Sequence, residues 1–165
     1  MNFKQFTVQE LEVKSIYHLL ISGISPRPIA LVGSLDKNGI SNLAPFSFFN
    51  AFGANPPIIG FSPAISGRTG LPKDTLLNIK DTKEFTVSIV NSSIVEQISL
   101  SSCEFDKDID EFVKTGLTKY ESNNISAYGV KESNFIMECK LYDIIELGGK
   151  PASGNLILGE VVKFH

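Results

Sequence analysis

Arg27 stands between two prolines in "SPRPIALVGS". Each proline fixes its own φ and restricts the residue before it, so the guanidinium sits on a stiff, extended backbone at the mouth of a strand. Held there it suits a phosphate or a polarised carbonyl. The competing reading is an edge-strand arginine paired with a surface acid. In "SNLAPFSFFN", Ser41, Asn42, Ser47 and Asn50 punctuate apolar residues. Phenylalanine faces favour a flat aromatic ligand, and hydroxyl and amide groups can address its polar edge. The competing reading is a barrel strand whose rings are core, and Phe52 is read that way. In "KDTLLN", Lys73 precedes a helix start, with Thr75 and Asn78 in its first turn. A helix N-terminus exposes N–H groups and carries about half a positive charge, so it attracts phosphate. Asp74 would repel one, and is read as the N-cap or as a partner for a cation; a plain capped helix is the alternative. Together the three segments describe a site for a planar heterocycle with a phosphate tail.

The elements that must position these residues are mostly strands. "PIALVGSL" (28–35) reads as a strand, and Asn38-Gly39 as a hairpin turn supplying positive φ. A return strand starts near Ile40 and runs "ISNLAPFSFFNAF". "PPIIGFSP" is a third strand, bounded by prolines. "EFTVSIV" (84–90), "NFIMECKLYDIIEL" (134–147) and "NLILGEVVKFH" (155–165) follow. Helices are expected over 74–82, 92–102 and 108–116, the last stopped by Gly116. Short strands with turn signals and no βαβ alternation predict a mainly β fold, a closed antiparallel barrel with helical insertions.

The 165 residues carry 42% hydrophobic and 20% charged side chains and a net charge of −3. They suit one globular domain over 1–165, with no nucleic-acid footprint. The N-terminus lacks the apolar core of a signal peptide, and no run is long enough to span a membrane. Cys103 and Cys139 form no CxxC and read as inert buried thiols in a cytoplasmic protein; His18 and His165 are too few for a metal site. GxGxxG, Walker A and GxSxG are missing, and no acid pair near a histidine suggests hydrolysis. Chemistry is therefore expected from a bound cofactor.

"PRPIALVGS", "GISNLAPFSFFNAF", "PPIIGFS", "KDTLLNI", "EFTVSIV", "DEFVKTGLT" and "ILGEVV", in that order, resemble the flavin reductase-like proteins with an FMN-binding split barrel, flavoredoxin among them. The resemblance runs from about Tyr17 to the end. It implies a six-stranded antiparallel Greek-key barrel and a homodimer with FMN near the interface. It places Arg27 and Pro28 beside the flavin, with Arg27 toward the N1–C2=O edge, and makes Ser34 a hydrogen-bond donor. Asn42 becomes a phosphate or ribityl partner, and Ser47, Phe48 and Phe49 approach the ring. Lys73, Thr75 and Asn78 gather at the phosphate end. The implied activity is electron transfer from NADH or NADPH through FMN to free flavin or a redox partner protein. The alternatives are a flavoredoxin-type carrier without its own nicotinamide site, and a barrel that has lost its cofactor. Family members often run longer at the C-terminus, so the chain is expected to be a shortened form with His165 exposed at its end.

Overall fold

The computed structural model describes residues 3–103, 105–106 and 109–165. Its first hairpin forms where the sequence places it: β1 (Ala30–Leu35) pairs antiparallel with β2 (Ser41–Phe46), Ser34 opposite Asn42. Asp36 organises the turn, its Oδ1 accepting from the N–H groups of Asn38 and Ile40, both at 2.8 Å. With that carboxylate in place only Gly39 takes a positive φ, 84°, and Asn38 does not.

The run from Ile40 to Phe52, read as one strand, is two. Pro45 has no N–H to give the ladder, and β2 ends one residue later. After Ser47 and Phe48 the chain starts β3 (Phe49–Ala54), which pairs with β4 (Pro57–Phe61). Further on come β5 (Glu84–Ile89), the short pair β6 (Lys119–Tyr120) and β7 (Gly129–Val130), and the long hairpin β8 (Ile136–Glu146) with β9 (Asn155–Phe164). The main sheet has seven strands in the order β2-β1-β5-β8-β9-β4-β3, one more than expected because of the split.

That order makes the sheet curl. β2 and β3 are its two edges, yet Phe46 and Phe49 are three Cα steps apart, at most about 11 Å. A flat sheet of seven strands would separate its edges by about 29 Å. The edges can meet only if the sheet closes on itself, so "FSFF" is the seam of an antiparallel split barrel.

Both faces of the sheet are covered. Alternate residues of β1 divide between two cores: Ala30 and Val32 join Phe61, Phe85, Val87, Cys139 and Ile157 inside the barrel, whereas Leu31 joins Leu43 and Val130 outside. Helix α2 (Asp74–Thr82) sends Leu76 and Ile79 into the inner core. Helices α3 (Val95–Ser101) and α4 (Glu111–Thr115) cover the outer one with Ile98 and Phe112. Gly116 ends α4 at φ 70°, as expected. A helix the sequence reading passed over, α1 (Val13–Gly23), carries no buried residue. Among the described residues, no helix is long and apolar enough to cross a membrane.

Three expectations are corrected here. Cys103 is exposed; only Cys139 is buried, and burial pushes its thiol far above the ordinary range. Phe52 is 59% exposed rather than core, because β3 is an edge strand exposed on both faces from Asn50 to Ala54. His165 is not exposed at a loose end. Its backbone pairs with Ile136, and its ring lies 2.7 Å from the buried Glu138 carboxylate and 3.3 Å from the Tyr120 hydroxyl.

Candidate functional site

Helix α2 starts one residue earlier than its sequence suggests. Lys73 is the capping residue and Asp74 the first helical one. A helix start leaves its first N–H groups without intrahelical partners, and a lysine ammonium cannot accept from them. The helix dipole and Lys73 bring positive charge to this end, and Asp74 brings a negative one.

Thr75 and Asn78 face the barrel and are buried. They join the expected polar residues of β1 and β2 in one network. Thr75 Oγ1 donates to Asn42 Oδ1 at 2.8 Å, and Ser34 Oγ reaches the same oxygen at 3.4 Å. Asn78 Nδ2 donates to Ser34 Oγ at 3.2 Å. Asn42 Nδ2 in turn donates to Glu111 Oε1 at 2.7 Å, and the Leu43 N–H to Glu111 Oε2 at 3.2 Å. Ser34, Asn42, Thr75 and Asn78, read from three separate segments, are thus neighbours. Glu111 was not foreseen: it lies about seventy residues downstream in "DIDEFVKTG", where only the helix pattern was legible. Burial pushes its carboxyl up, its own N–H, Leu43 N–H and the Asn42 amide pull it down, Asp110 adds to the rise, and the net direction is upward.

Arg27 belongs to a second cluster. Its Nη1 donates to the carbonyls of Ile21 and of Ile24, the latter at 2.8 Å, so it closes the C-terminal end of α1. Its Nε reaches Ser47 Oγ at 3.4 Å. Phe48 packs against Tyr17 of α1, ring centroids 6.4 Å apart. Neither sequence reading of Arg27 included a helix end, because α1 itself was not foreseen. Pro28 is exposed beside this cluster, and Phe49 packs against the inner core.

A cleft of about 630 Å³ opens between β2 and the start of α2. One wall is apolar, with Pro45, Phe46, Leu71 and Pro72; Lys73, Thr75, Asn42, Ser66 and Thr69 add polar groups. Ser66 and Thr69 were also missed. They sit on a tight turn in which Ser66 Oγ accepts from the N–H groups of Arg68 and Thr69. Asp74, Asp106 and Glu111 line the same cleft. Arg27, Pro28, Ser47, Phe48 and Phe49 lie outside its lining. A smaller cleft of about 380 Å³ shares Asn42, Asp74 and Glu111 and adds Asp36, Asp81 and Ser41. Among the described residues, Ser41 Oγ is buried without a hydrogen-bond partner.

A family model described as "Flavin reductase like domain" matches residues 22–165. The chain belongs to the flavin reductase-like family. Nitrilotriacetate monooxygenase component B from Bacillus cereus is 38% identical and superposes with a TM-score of 0.94 over 100% of this chain and 82% of that one. The 2-nitrobenzoate 2-nitroreductase of Pseudomonas fluorescens is 31% identical, with a TM-score of 0.86 over 98% of this chain and 76% of its own. Flavoredoxin of Desulfovibrio vulgaris (Miyazaki F) shares the fold, at 24% identity and a TM-score of 0.70 over 86% of this chain and 70% of its own. The split barrel and the family expected from the motifs are those found.

Proposed function

We propose that this flavin reductase-like protein binds FMN with its phosphate at the start of α2, and passes electrons from NADH or NADPH through it to free flavin or a partner protein. The observation that carries the reading is the larger cleft, where a helix N-terminus, Lys73 and the hydroxyls of Ser66 and Thr69 meet an apolar wall. That donor set fits a phosphate, and the wall fits a flat ring system. FMN, when bound, supplies two-electron acceptance from a nicotinamide and onward transfer to an acceptor.

The chain's own residues bind and orient. Lys73 supplies the counter-charge, while Ser34, Asn42, Thr75 and Asn78 hold the α2 start against β1 and β2. Arg27, Pro28, Ser47, Phe48 and Phe49 are assigned to the ring end, with Arg27 also fixing α1. We further propose a homodimer. Tyr17 and Leu20 of α1, Phe52 of β3, Tyr142 of β8 and Phe164 of β9 are exposed apolar side chains that a second copy would cover. Two free thiols suit a reducing, cytoplasmic compartment.

The test is anaerobic. Protein loaded with FMN is mixed with NADH or NADPH, and the loss of oxidised-flavin absorbance is followed. Bleaching by either nucleotide supports the reductase. A flavin that bleaches only with a reduced protein partner would assign an electron carrier instead.

A further inference from the structure

Glu111 reaches from the first residue of α4 to the middle of β2 and meets two donors there, Asn42 Nδ2 and the Leu43 N–H. An ionised carboxylate only accepts. It therefore selects one orientation of the Asn42 amide, with Nδ2 toward Glu111 and Oδ1 toward Thr75. Turning the amide over would set two acceptors against each other across 2.7 Å. With Oδ1 facing Thr75, the Thr75 hydroxyl spends its only proton on Asn42. It then has none for a ligand in the cleft that it lines.

A neutral carboxyl reverses this. It accepts from Leu43 N–H with one oxygen and donates to Asn42 Oδ1 with the other. The amide turns over, Nδ2 donates to Thr75 Oγ1 and faces Ser34 Oγ, which accepts where it had donated, and the Thr75 proton is released toward the cleft. We propose that Glu111 is a positioning residue for the cofactor phosphate: by setting the Asn42 amide it decides whether the Thr75 hydroxyl donates inward or to the ligand. This rests on the reading that FMN places its phosphate at the start of α2. Burial pushes the Glu111 carboxyl upward, the direction that favours its neutral form. The charged groups that share its two clefts, among the described residues, are Lys73, Asp74 and Asp81 of the α2 segment, Asp36 and Lys37 of the β1–β2 turn, and Asp106. On its own helix Asp110 adds to the upward push and is itself paired with Lys119 at 2.6 Å. A phosphate arriving in the larger cleft would raise the Glu111 pKa further, so binding takes up a proton.

Glu111→Gln separates this role from a structural one. Glutamine reproduces the neutral pattern, its Oε1 accepting from Leu43 N–H and its Nε2 donating to Asn42 Oδ1. FMN dissociation constants are measured by flavin fluorescence from pH 5 to 8 on the wild type, Glu111→Gln, Thr75→Val and the double variant. If FMN raises the Glu111 pKa by about one unit, the wild type binds about tenfold more weakly than Glu111→Gln at pH 8, and the gap narrows as the pH falls. The ratio of the two cancels the ionisation of the phosphate itself. In the Thr75→Val background the advantage of glutamine should shrink to what removal of the charge alone gives. Parallel profiles, or weaker binding by a folded Glu111→Gln at pH 8, would overturn the proposal. So would an advantage undiminished without the Thr75 hydroxyl, since the effect would then be charge removal alone. If Glu111→Gln does not fold, the comparison of wild type with Thr75→Val decides: their affinities should agree at pH 8 and part as the pH falls, and a pH-independent ratio would overturn the relay. Failure of the wild type to bind FMN at any pH would remove the functional reading and the proposal with it, an outcome distinct from binding with parallel profiles.

Discussion

Replacing Glu138 by glutamine should cost the barrel several kilocalories while leaving its shape alone. Glu138 sits on β8 with its side chain fully buried. Its carboxylate accepts from the N–H of Asn123 at 2.7 Å and of Asn124 at 2.8 Å, and meets His165 Nε2 at 2.7 Å. Burial by itself pushes the carboxyl up. The Asn123 N–H, His165 and the Asn124 N–H outweigh it and hold the group below its ordinary value. Glutamine of the same shape can accept with one atom only. Its Nε2 must then face a backbone N–H, which leaves that donor unsatisfied at about 1–3 kcal/mol. The remaining bonds lose their charge assistance, for about 1 kcal/mol more. The expected loss is about 3 kcal/mol in urea or guanidinium unfolding, or a Tm lower by about 6–12 °C for a chain of this size. A folded-state pKa below the unfolded one contributes stability that is fully present above the unfolded value and is lost as pH falls through the folded value. The variant should therefore show a flatter stability curve on the acid side. A loss under about 0.5 kcal/mol with the acid limb unchanged would refute this reasoning, since that is the range of a neutral surface substitution.

Lys73→Ala should weaken FMN binding by about 1–3 kcal/mol if a charge-assisted phosphate contact is lost; an unchanged dissociation constant by fluorescence titration would remove Lys73 from the site. Arg27→Ala should loosen α1 alone, because the guanidinium closes that helix at Ile21 and Ile24 and no side chain of α1 is buried. Amide hydrogen exchange would show lost protection over 13–23 with the strands unaffected, and equal protection in both proteins would contradict it. Phe61→Ala, which opens a hole among Phe46 and Phe85 in the inner core, should destabilise by about 3–5 kcal/mol; chemical denaturation within 1 kcal/mol of wild type would show that the core collapses around it.

Strands were the legible part, because their alternation and proline or glycine boundaries are local. The hairpin at Asp36–Gly39 and helix α2 are written in adjacent residues. What was not legible depends on distant partners. Ser47 and Phe48 as a seam follow from the sheet order, which no local pattern carries. Helix α1 is the exception: Val13, Ile16, Tyr17 and Leu20 stand at helical spacing, a local signal the sequence reading passed over, although none of them is buried. Arg27 was singled out for its stiff backbone, but its partners Ile21 and Ile24 belong to that unread helix. The polar residues Ser34, Asn42, Thr75 and Asn78 were named from motif order, and the structure joins them side chain to side chain. Glu111 completes their network from far along the chain and needed the fold to be found.

The central claim is that the cleft at the start of α2 takes up FMN. It is tested most directly by titrating the purified protein with FMN and following the visible spectrum and flavin fluorescence. The account predicts saturable uptake near one FMN per chain, with perturbed oxidised-flavin bands and weaker binding of riboflavin, which lacks the phosphate. A protein that leaves the FMN spectrum unchanged, or binds riboflavin as tightly as FMN, would contradict it.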